Sequence, residues 1–278
     1  RRLRHNSFLP CYGLLVVAAM PELPEIEVSR QGLLPYLSGQ RIVGAIARVA
    51  KLRHPIPDGL DQRLKGLEID TIRRRGKYLL IDCASTRGGG WLILHLGMSG
   101  SLRLVPPGSP AQKHDHFDLL VEKNVLRLRD PRRFGALLWH EGQLIDDHPL
   151  LAPLGVEPLS DTFDGECLLT LTRHRRLPIK PLLMDNRLLV GVGNIYASES
   201  LFHAGISPLR PAGRIDRHGC QALAEAIRNT LRASIAAGGS SVRDYVHSDG
   251  GAGCYQLSCA VYDRQGQPCR TCGTPISF

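Results

Sequence analysis

The sequence predicts an α+β protein of two domains with a short zinc-ribbon-like end. Three observations carry this: a length of 278 residues, a run of short β-type segments between Arg41 and His140, and a shift to helical patterning after Pro149. The composition is globular, with 43% hydrophobic and 22% charged residues. No apolar run approaches the roughly 18–20 residues of a membrane-spanning helix. Lys and Arg total 35 against 26 Asp and Glu, a net charge of +9, which points to a polyanionic partner. Charge alone does not separate nucleic acid from a membrane surface. Eight cysteines in 278 residues are too sparse for a disulfide scaffold and suit a reducing compartment.

The elements follow in order. Residues 1–20 read RRLRHNSFLPCYGLLVVAAM, a basic stretch and then an apolar run from Leu14 to Ala19. That outline fits a secretory signal, but the run is short and Pro10 interrupts its approach. Translated upstream sequence ahead of a start at Met20 is the favoured reading, with an ordinary extension as the third alternative. From Met20 to Leu37 an acidic start with Pro24 and Glu25 in the first turn predicts a helix. Short strands are then predicted at Arg41–Val49, Tyr78–Cys83, Trp91–Leu96, Ser101–Val105, His116–Val121, Val125–Arg129 and Ala136–His140. Such spacing suggests a sandwich or a barrel. Cys167–Arg173, Asn194–Ala204 and Arg217–Ala237 favour helix, the last placing Leu223, Ile227, Leu231 and Ile235 on one stripe. A Gly/Ser break spans Ala236–Ser241, and Tyr255–Phe278 returns to strand and turn.

Several residue groups could carry chemistry. Arg73, Arg74, Arg75 and Lys77, then Arg132 and Arg133, then Arg173, His174, Arg175, Arg176 and Lys180 form basic clusters beside Gly or Pro. Solvated surface explains any one of them; three such clusters suit loops gripping phosphates. Gly191-Val192-Gly193-Asn194 lacks the third glycine of a dinucleotide loop and reads as a tight turn opening a helix, whose free N–H groups can hold a phosphate. Cys269-Arg270-Thr271-Cys272-Gly273 has the spacing of one zinc-ribbon knuckle, which needs a second pair roughly 15–20 residues on. Two thiolates do not close a tetrahedral site, so a truncated ribbon holding little zinc is the favoured reading, with a redox or incidental pair as the alternative.

Read together, these motifs resemble the bacterial formamidopyrimidine-DNA glycosylases. The match comprises Met20-Pro21-Glu22-Leu23-Pro24-Glu25, Arg75-Gly76-Lys77-Tyr78, His95-Leu96-Gly97-Met98-Ser99-Gly100, Lys113-His114-Asp115-His116 and Asp130-Pro131-Arg132-Arg133-Phe134-Gly135. It continues through Ile179-Lys180-Pro181, Met184-Asp185-Asn186, Gly191 to Glu199 and Pro268 to Pro275, in the family's order from Met20 onward. The resemblance implies a β-sandwich flanked by helices, then a helix–two-turn–helix domain and a truncated zinc-ribbon stub. The expected divisions are an extension at 1–19, a catalytic domain at 20–150, a DNA-binding domain at 151–243 and a lesion-recognition loop with incomplete zinc finger at 244–278.

The implied activity is base-excision repair, a bifunctional glycosylase and apurinic-site lyase for 8-oxoguanine and formamidopyrimidines. Pro21 is the implied nucleophile, Glu22 the acid that protonates the opening sugar, and Lys77 the proton donor linked to β-elimination. His114, Arg175, Lys180 and Asn194 would contact DNA phosphates, and Glu25 would line the lesion pocket. Met98 and Phe134 would fill the gap left by the flipped base while Arg132 faces the orphaned cytosine. Tyr245–Tyr262, with Cys254 and Cys259, would cover the flipped base. Cys269 and Cys272 are half of the family's zinc set, one ion per chain. The implied partner is damaged double-stranded DNA, bound by a monomer without membrane attachment in the cytoplasm, associated with the nucleoid.

Two departures qualify this. As written, the Pro21 nitrogen lies in a peptide bond to Met20, and an amide nitrogen is no nucleophile. Activity therefore requires Pro21 as the first residue, as after initiation at Met20 and removal of that Met. The second departure is the missing half of the ribbon, which would remove one backbone clamp. The alternative is a blocked or truncated DNA-binding fragment of the family.

Overall fold

In the computed structural model, the structure describes residues 20–86, 88–142, 144–240 and 255–277. The expected extension at 1–19, and Tyr245 and Cys254 of the expected lesion loop, lie outside these residues. Helix α1 (Leu23–Leu37) begins as the acidic start dictates. Glu22 and Glu25 form a reciprocal capping box, the Glu22 N–H donating to Glu25 Oε2 at 2.9 Å.

The strands form two antiparallel four-stranded sheets packed as a sandwich. One sheet runs β1 (Ile42–Ala47), β6 (Asp115–Val121), β7 (Val125–Arg129) and β5 (Ser101–Val105) in that spatial order. The other runs β2 (Glu68–Arg75), β3 (Tyr78–Ser85), β4 (Gly88–His95) and β8 (Ala136–Glu141). Leu79, Ile81, Leu92 and Leu94 from one sheet share a core with Phe117, Leu119, Leu126 and Leu128 from the other. Strand β4 reads as an unbroken apolar run because both its faces are covered. Trp91 and Ile93 point away from the sandwich core and pack with Ile145 and Leu151. A short helix α2 (Leu60–Leu64) lies against edge strand β1, where Asp61 Oδ1 accepts the Ala45 N–H at 2.7 Å.

Strand β2 was absent from the sequence expectations. Its sequence, EIDTIRRR, carries few apolar residues, and a bulge between Ile69 and Ile72 breaks the alternation that would mark it.

The second half is helical, built from α3 (Gly165–Thr172), α4 (Ile179–Leu183), α5 (Asn194–His203) and α6 (Arg217–Ala236). Asp164 caps α3 through the Cys167 N–H at 2.8 Å, and Asp216 caps α6 through the Gly219 N–H at 2.8 Å. The predicted stripe on α6 holds: Leu223, Ile227 and Leu231 are buried in this domain's core and Ile235 packs against it. The described tail differs from expectation. It contains a 3-10 turn at Tyr255–Ser258 and an isolated bridge between Pro268 and Pro275, with no strand among the described residues. Gly and Pro punctuate that segment too densely for a ladder.

Helix α1 belongs to both halves. Leu23 is buried in the helical core, whereas Ile26, Leu33 and Leu37 are buried in the sandwich core. The first turn of α1 is thus the seam of the molecule.

Candidate active site

Pro21 and Glu22 lie at that seam, and both are buried. The tight turn predicted at Gly191–Asn194 does open α5, and two of its N-terminal N–H groups are already taken. The Glu22 carboxylate occupies them, accepting the Gly193 N–H at 2.6 Å and the Ile195 N–H at 3.0 Å. Carbonyl Gly191 O accepts the Leu23 N–H at 3.1 Å, so the two helix starts are laced together. The positive end of α5 suits a carboxylate. Burial pushes the Glu22 carboxyl upward, opposed by the Lys77 ammonium and by the backbone donors of Ile195 and Gly193.

Glu25, one turn further on, is fully buried and holds a second network. Its Oε1 accepts the Tyr196 hydroxyl at 2.6 Å and the Ser240 N–H at 2.8 Å, while Oε2 accepts the Glu22 N–H. Tyr196 is also hydrogen-bonded to Ser234 Oγ at 2.7 Å. Burial lifts the Glu25 carboxyl to about 7, against these donors, and neighbouring Glu22 adds to the rise. Tyr196 is a residue that the motifs contained without revealing a role.

Lys77 follows Gly76 in the β2–β3 turn. Gly76 has φ +56°, and a Cβ there would stand 2.2 Å from Val190 Cγ2, so both conformation and space require glycine. Only 7% of Lys77 is exposed. Beside it His95, paired in register with Tyr78, is held down to about 4 by burial and by the Lys77 and Arg53 charges. Its Nδ1 accepts the Gly97 N–H at 3.0 Å, which leaves the proton on Nε2 and a neutral donor near Lys77.

The basic cluster at Arg73–Arg75 is corrected by the structure. Arg74 pairs with Glu27 at 3.1 Å and Glu157 at 2.9 Å, and Arg75 donates to the Leu154 and Gly155 carbonyls at 2.6 and 2.7 Å. Arg73 lies over the Trp91 ring, 5.4 Å from its centroid. Arg74 and Arg75 thus fasten the Lys77 turn to the interdomain connection instead of gripping phosphate. Glu157, which also accepts the Gly76 N–H at 2.5 Å, had no local signal in the sequence.

Met98 is half-buried on the turn after β4, and Arg132 and Phe134 are exposed on the turn before β8. Phe134 is 46% exposed, and the Arg132 guanidinium lies 4.9 Å from its ring centroid. His114 is half-buried at φ 75°, next to the strand that carries Asp115. On the helical side Arg175 and Asn194 are exposed and Lys180 is half-buried.

The expected lesion loop is in part a core element. Cys259 is buried with Tyr255 in the helical core, and burial pushes its thiol up to about 12. The turn that follows is held by buried Glu199, whose oxygens accept the N–H groups of Ala260, Val261 and Tyr262 at 2.7, 2.9 and 2.8 Å. Cys269 and Cys272 lie in the turns of the tail, with the Thr271 N–H donating to Cys269 Sγ at 3.4 Å. Hydrogen bonds from the Cys272 and Thr271 backbone lower the Cys269 thiol. Among the described residues no group of three or more potential ligands gathers around them. Two thiols do not by themselves fit a four-coordinate zinc.

The fold and the order of these motifs define the class: a two-domain DNA glycosylase, sandwich first and helix–two-turn–helix second. Residues 20–137 match the Formamidopyrimidine-DNA glycosylase N-terminal domain, and residues 154–246 match the Formamidopyrimidine-DNA glycosylase H2TH domain. The chain is 57% identical over 256 residues to the formamidopyrimidine-DNA glycosylase of Dechloromonas aromatica, covering 91% of this chain and 92% of that one. It is 52% identical over 261 residues to the Burkholderia multivorans enzyme of the same name, covering 92% and 94%. The chain belongs to the formamidopyrimidine-DNA glycosylase family. Its structure is similar to MutM (Fpg) from Thermus thermophilus, with a TM-score of 0.80, 37% identity and 92% of each chain covered. It is likewise similar to Lactococcus lactis Fpg in complex with DNA containing an abasic site, with a TM-score of 0.83, 32% identity, and 92% and 93% covered.

Proposed function

We propose that this chain is a base-excision repair enzyme, a DNA glycosylase and apurinic-site lyase acting on oxidised purines in duplex DNA. Family membership and identities of 51–57% with formamidopyrimidine-DNA glycosylases support the activity. The observation that carries the residue assignment is the buried Pro21–Glu22 pair at the seam, facing Lys77.

In a chain beginning at Pro21, the secondary amine attacks C1′ of the damaged nucleoside. The base leaves with the electron pair of the glycosidic bond, and the amine loses its proton. Glu22 donates a proton to the ring oxygen as the sugar opens, leaving a cationic iminium between Pro21 and C1′. The iminium acidifies C2′. Loss of that proton and expulsion of the 3′ phosphate complete β-elimination, and a second elimination expels the 5′ phosphate. Burial favours the protonated form of Glu22 that the ring-opening step consumes. Lys77 supplies positive charge beside the breaking phosphate bonds and a proton to the elimination steps.

The base must leave the helix first. Met98 and Phe134 enter the space it vacates, Arg132 meets the orphaned cytosine, and Glu25 lines the lesion pocket. His114, Arg175, Lys180 and Asn194 hold the backbone, a set whose affinity falls steeply with salt. The functional division we adopt is 20–150 for catalysis, 151–243 for DNA binding and 244–278 for lesion recognition, with the Cys269–Cys272 pair near its end. Cys269 and Cys272 would be two of the four ligands of the family's zinc, whose role is to brace the ribbon; no step of the reaction runs through it. We assign the protein as a monomer of the bacterial cytoplasm and nucleoid; among the described residues, no helix is long and apolar enough to cross a membrane.

Borohydride trapping tests the assignment on a duplex carrying 8-oxoguanine opposite cytosine. A chain beginning at Pro21 forms a covalent complex, and the 278-residue chain, whose Pro21 nitrogen is an amide, forms none. Equal trapping by both places the nucleophile elsewhere. Binding without trapping by either favours the alternative, a DNA-binding fragment.

A further inference from the structure

The residues that would fill the emptied base site come from separate turns, yet one buried carboxylate joins them. Asp130 is 0% exposed, and among the described residues its carboxylate is met by neutral donors. Oδ1 accepts the Ser99 hydroxyl at 2.7 Å, and Oδ2 accepts the Gly135 N–H at 2.8 Å. The same Ser99 oxygen accepts the Arg132 N–H at 3.1 Å. The Asp130 backbone extends the junction: its N–H donates to His114 O at 3.0 Å, and its carbonyl is bonded to His116 Nε2 at 3.0 Å.

The turns are also in direct contact. Gly97 has φ +64°, and a Cβ there would lie 2.4 Å from the Phe134 carbonyl carbon. Met98 and Ser99 follow that glycine, one partly exposed and the other buried. A fixed path therefore runs from the Met98 turn through the Ser99 hydroxyl to the Arg132 backbone, and through Asp130 to the residue after Phe134. Neutral donors satisfying a buried carboxylate make a rigid joint, because losing any of them strands charge in the interior.

We infer that Asp130 and Ser99 are positioning residues that set the spacing of Met98 against Arg132 and Phe134, and so determine which base is accepted opposite the lesion. This rests on the assignment of Met98, Arg132 and Phe134 to the emptied site. Arg132 reads an orphaned base by donors placed to within tenths of an ångström. Its backbone nitrogen is held by Ser99, so the hydroxyl fixes where that reading begins. Neither residue needs to touch DNA.

The test uses the full 278-residue chain, in which chemistry is blocked and binding alone is read. Duplexes carry a tetrahydrofuran abasic analogue opposite cytosine or adenine, with 2-aminopurine as the neighbouring base to report filling of the gap. The wild-type chain binds the cytosine duplex more tightly than the adenine one. Ser99→Ala shrinks that preference by about fivefold or more, the scale of one lost base contact, and alters the 2-aminopurine signal. Ser99→Thr, which restores the hydroxyl, recovers both. Affinity for an undamaged duplex moves little, while the thermal midpoint falls by the few degrees that a lost buried hydrogen bond costs. Retention of the preference in Ser99→Ala overturns the inference. So does an equal weakening for every duplex, the mark of a residue that supports the fold without setting the spacing. If Ser99→Ala does not fold, Asp130→Asn, of the same shape, is read by the same measurements. A wild-type chain that fails to prefer abasic over undamaged duplex refutes the underlying assignment instead, before any variant is compared.

Discussion

Replacing Gly193 by Ala probes the seam without touching an ionisable group. Gly193 has φ −123°, a region open to every residue, so its backbone does not demand glycine. Space does: a Cβ would lie 2.4 Å from Glu22 Cδ and 2.5 and 2.7 Å from its two oxygens. Ordinary contact begins near 3.4 Å, so the carboxylate must retreat by about 1 Å. That movement breaks the 2.6 Å bond from Gly193 and stretches the 3.0 Å bond from Ile195. A buried N–H left without its partner costs about 1–3 kcal/mol. Loss of one and partial loss of the other should destabilise the fold by about 3 kcal/mol. A catalytic group displaced by 1 Å costs about 10²-fold in rate. Chemical denaturation gives the first number, and single-turnover excision of 8-oxoguanine by a chain beginning at Pro21 gives the second. Wild-type stability and rate, each within a factor of two, would mean that Glu22 does not depend on the start of α5 and that its assignment as the sugar-protonating acid is wrong.

Further outcomes follow from other parts of the site. Glu25 titrates at about 7 when folded against an ordinary 4.5, so the native state keeps a proton that the unfolded chain has released. Its contribution is fully present below pH 4.5 and is lost as pH rises through 7, a fall of about 3 kcal/mol. Urea denaturation at pH 5 and pH 8 should therefore show a steeper decline for the wild type than for Glu25→Gln; parallel declines would remove Glu25 as the cause. Gly76→Ala should cost about 2–4 kcal/mol, combining a left-handed backbone with overpacking against Val190, and an unchanged thermal midpoint would contradict it. Lys77→Ala should slow strand scission about 10²-fold and move the pH limb set by Glu22 upward, because the ammonium that lowers Glu22 is gone. A limb that stays in place would show that the two groups do not interact.

What the sequence disclosed and what it hid divide along a physical line. Strands with alternating or doubly covered apolar runs, such as Leu79–Ile81 and Trp91–Leu94, announced themselves because burial repeats within a few residues. Strand β2 did not, since its bulge and its arginines answer to partners elsewhere in the chain. The same distance explains the misreading of Arg74 and Arg75, whose carboxylate partner Glu157 lies more than 80 residues away. The turn at Gly193 and Asn194 was legible from local chemistry, but its occupant was not: Glu22 reaches it across 171 residues. Pro21, Glu22 and Lys77 could be singled out only because motif order suggested them. Tyr196, Glu199 and Asp130 sat inside those same motifs without a visible role, because their partners, side chains for Tyr196, backbone N–H groups for Glu199 and one of each for Asp130, lie where no local pattern points.

The seam has a chemical logic beyond positioning. A proline amine attacks only when unprotonated, and an ionised carboxylate beside it would favour the ammonium. Burial at the junction of two cores pushes Glu22 toward its neutral form, while the Lys77 charge lowers the proton affinity of any amine nearby. The start of α1 acts in the same direction, because the positive end of a helix dipole disfavours a cation at its threshold. Burial thus raises the proton affinity of the group that must give a proton, while the Lys77 charge opposes that rise as it discourages a proton on the amine. Placing the pair between domains, with Leu23 in one core and Ile26 in the other, ties that environment to the relative seating of the two halves. A perturbation that loosens the seam should then lower the rate by hydrating Glu22 and Pro21 together, even where every catalytic side chain is retained.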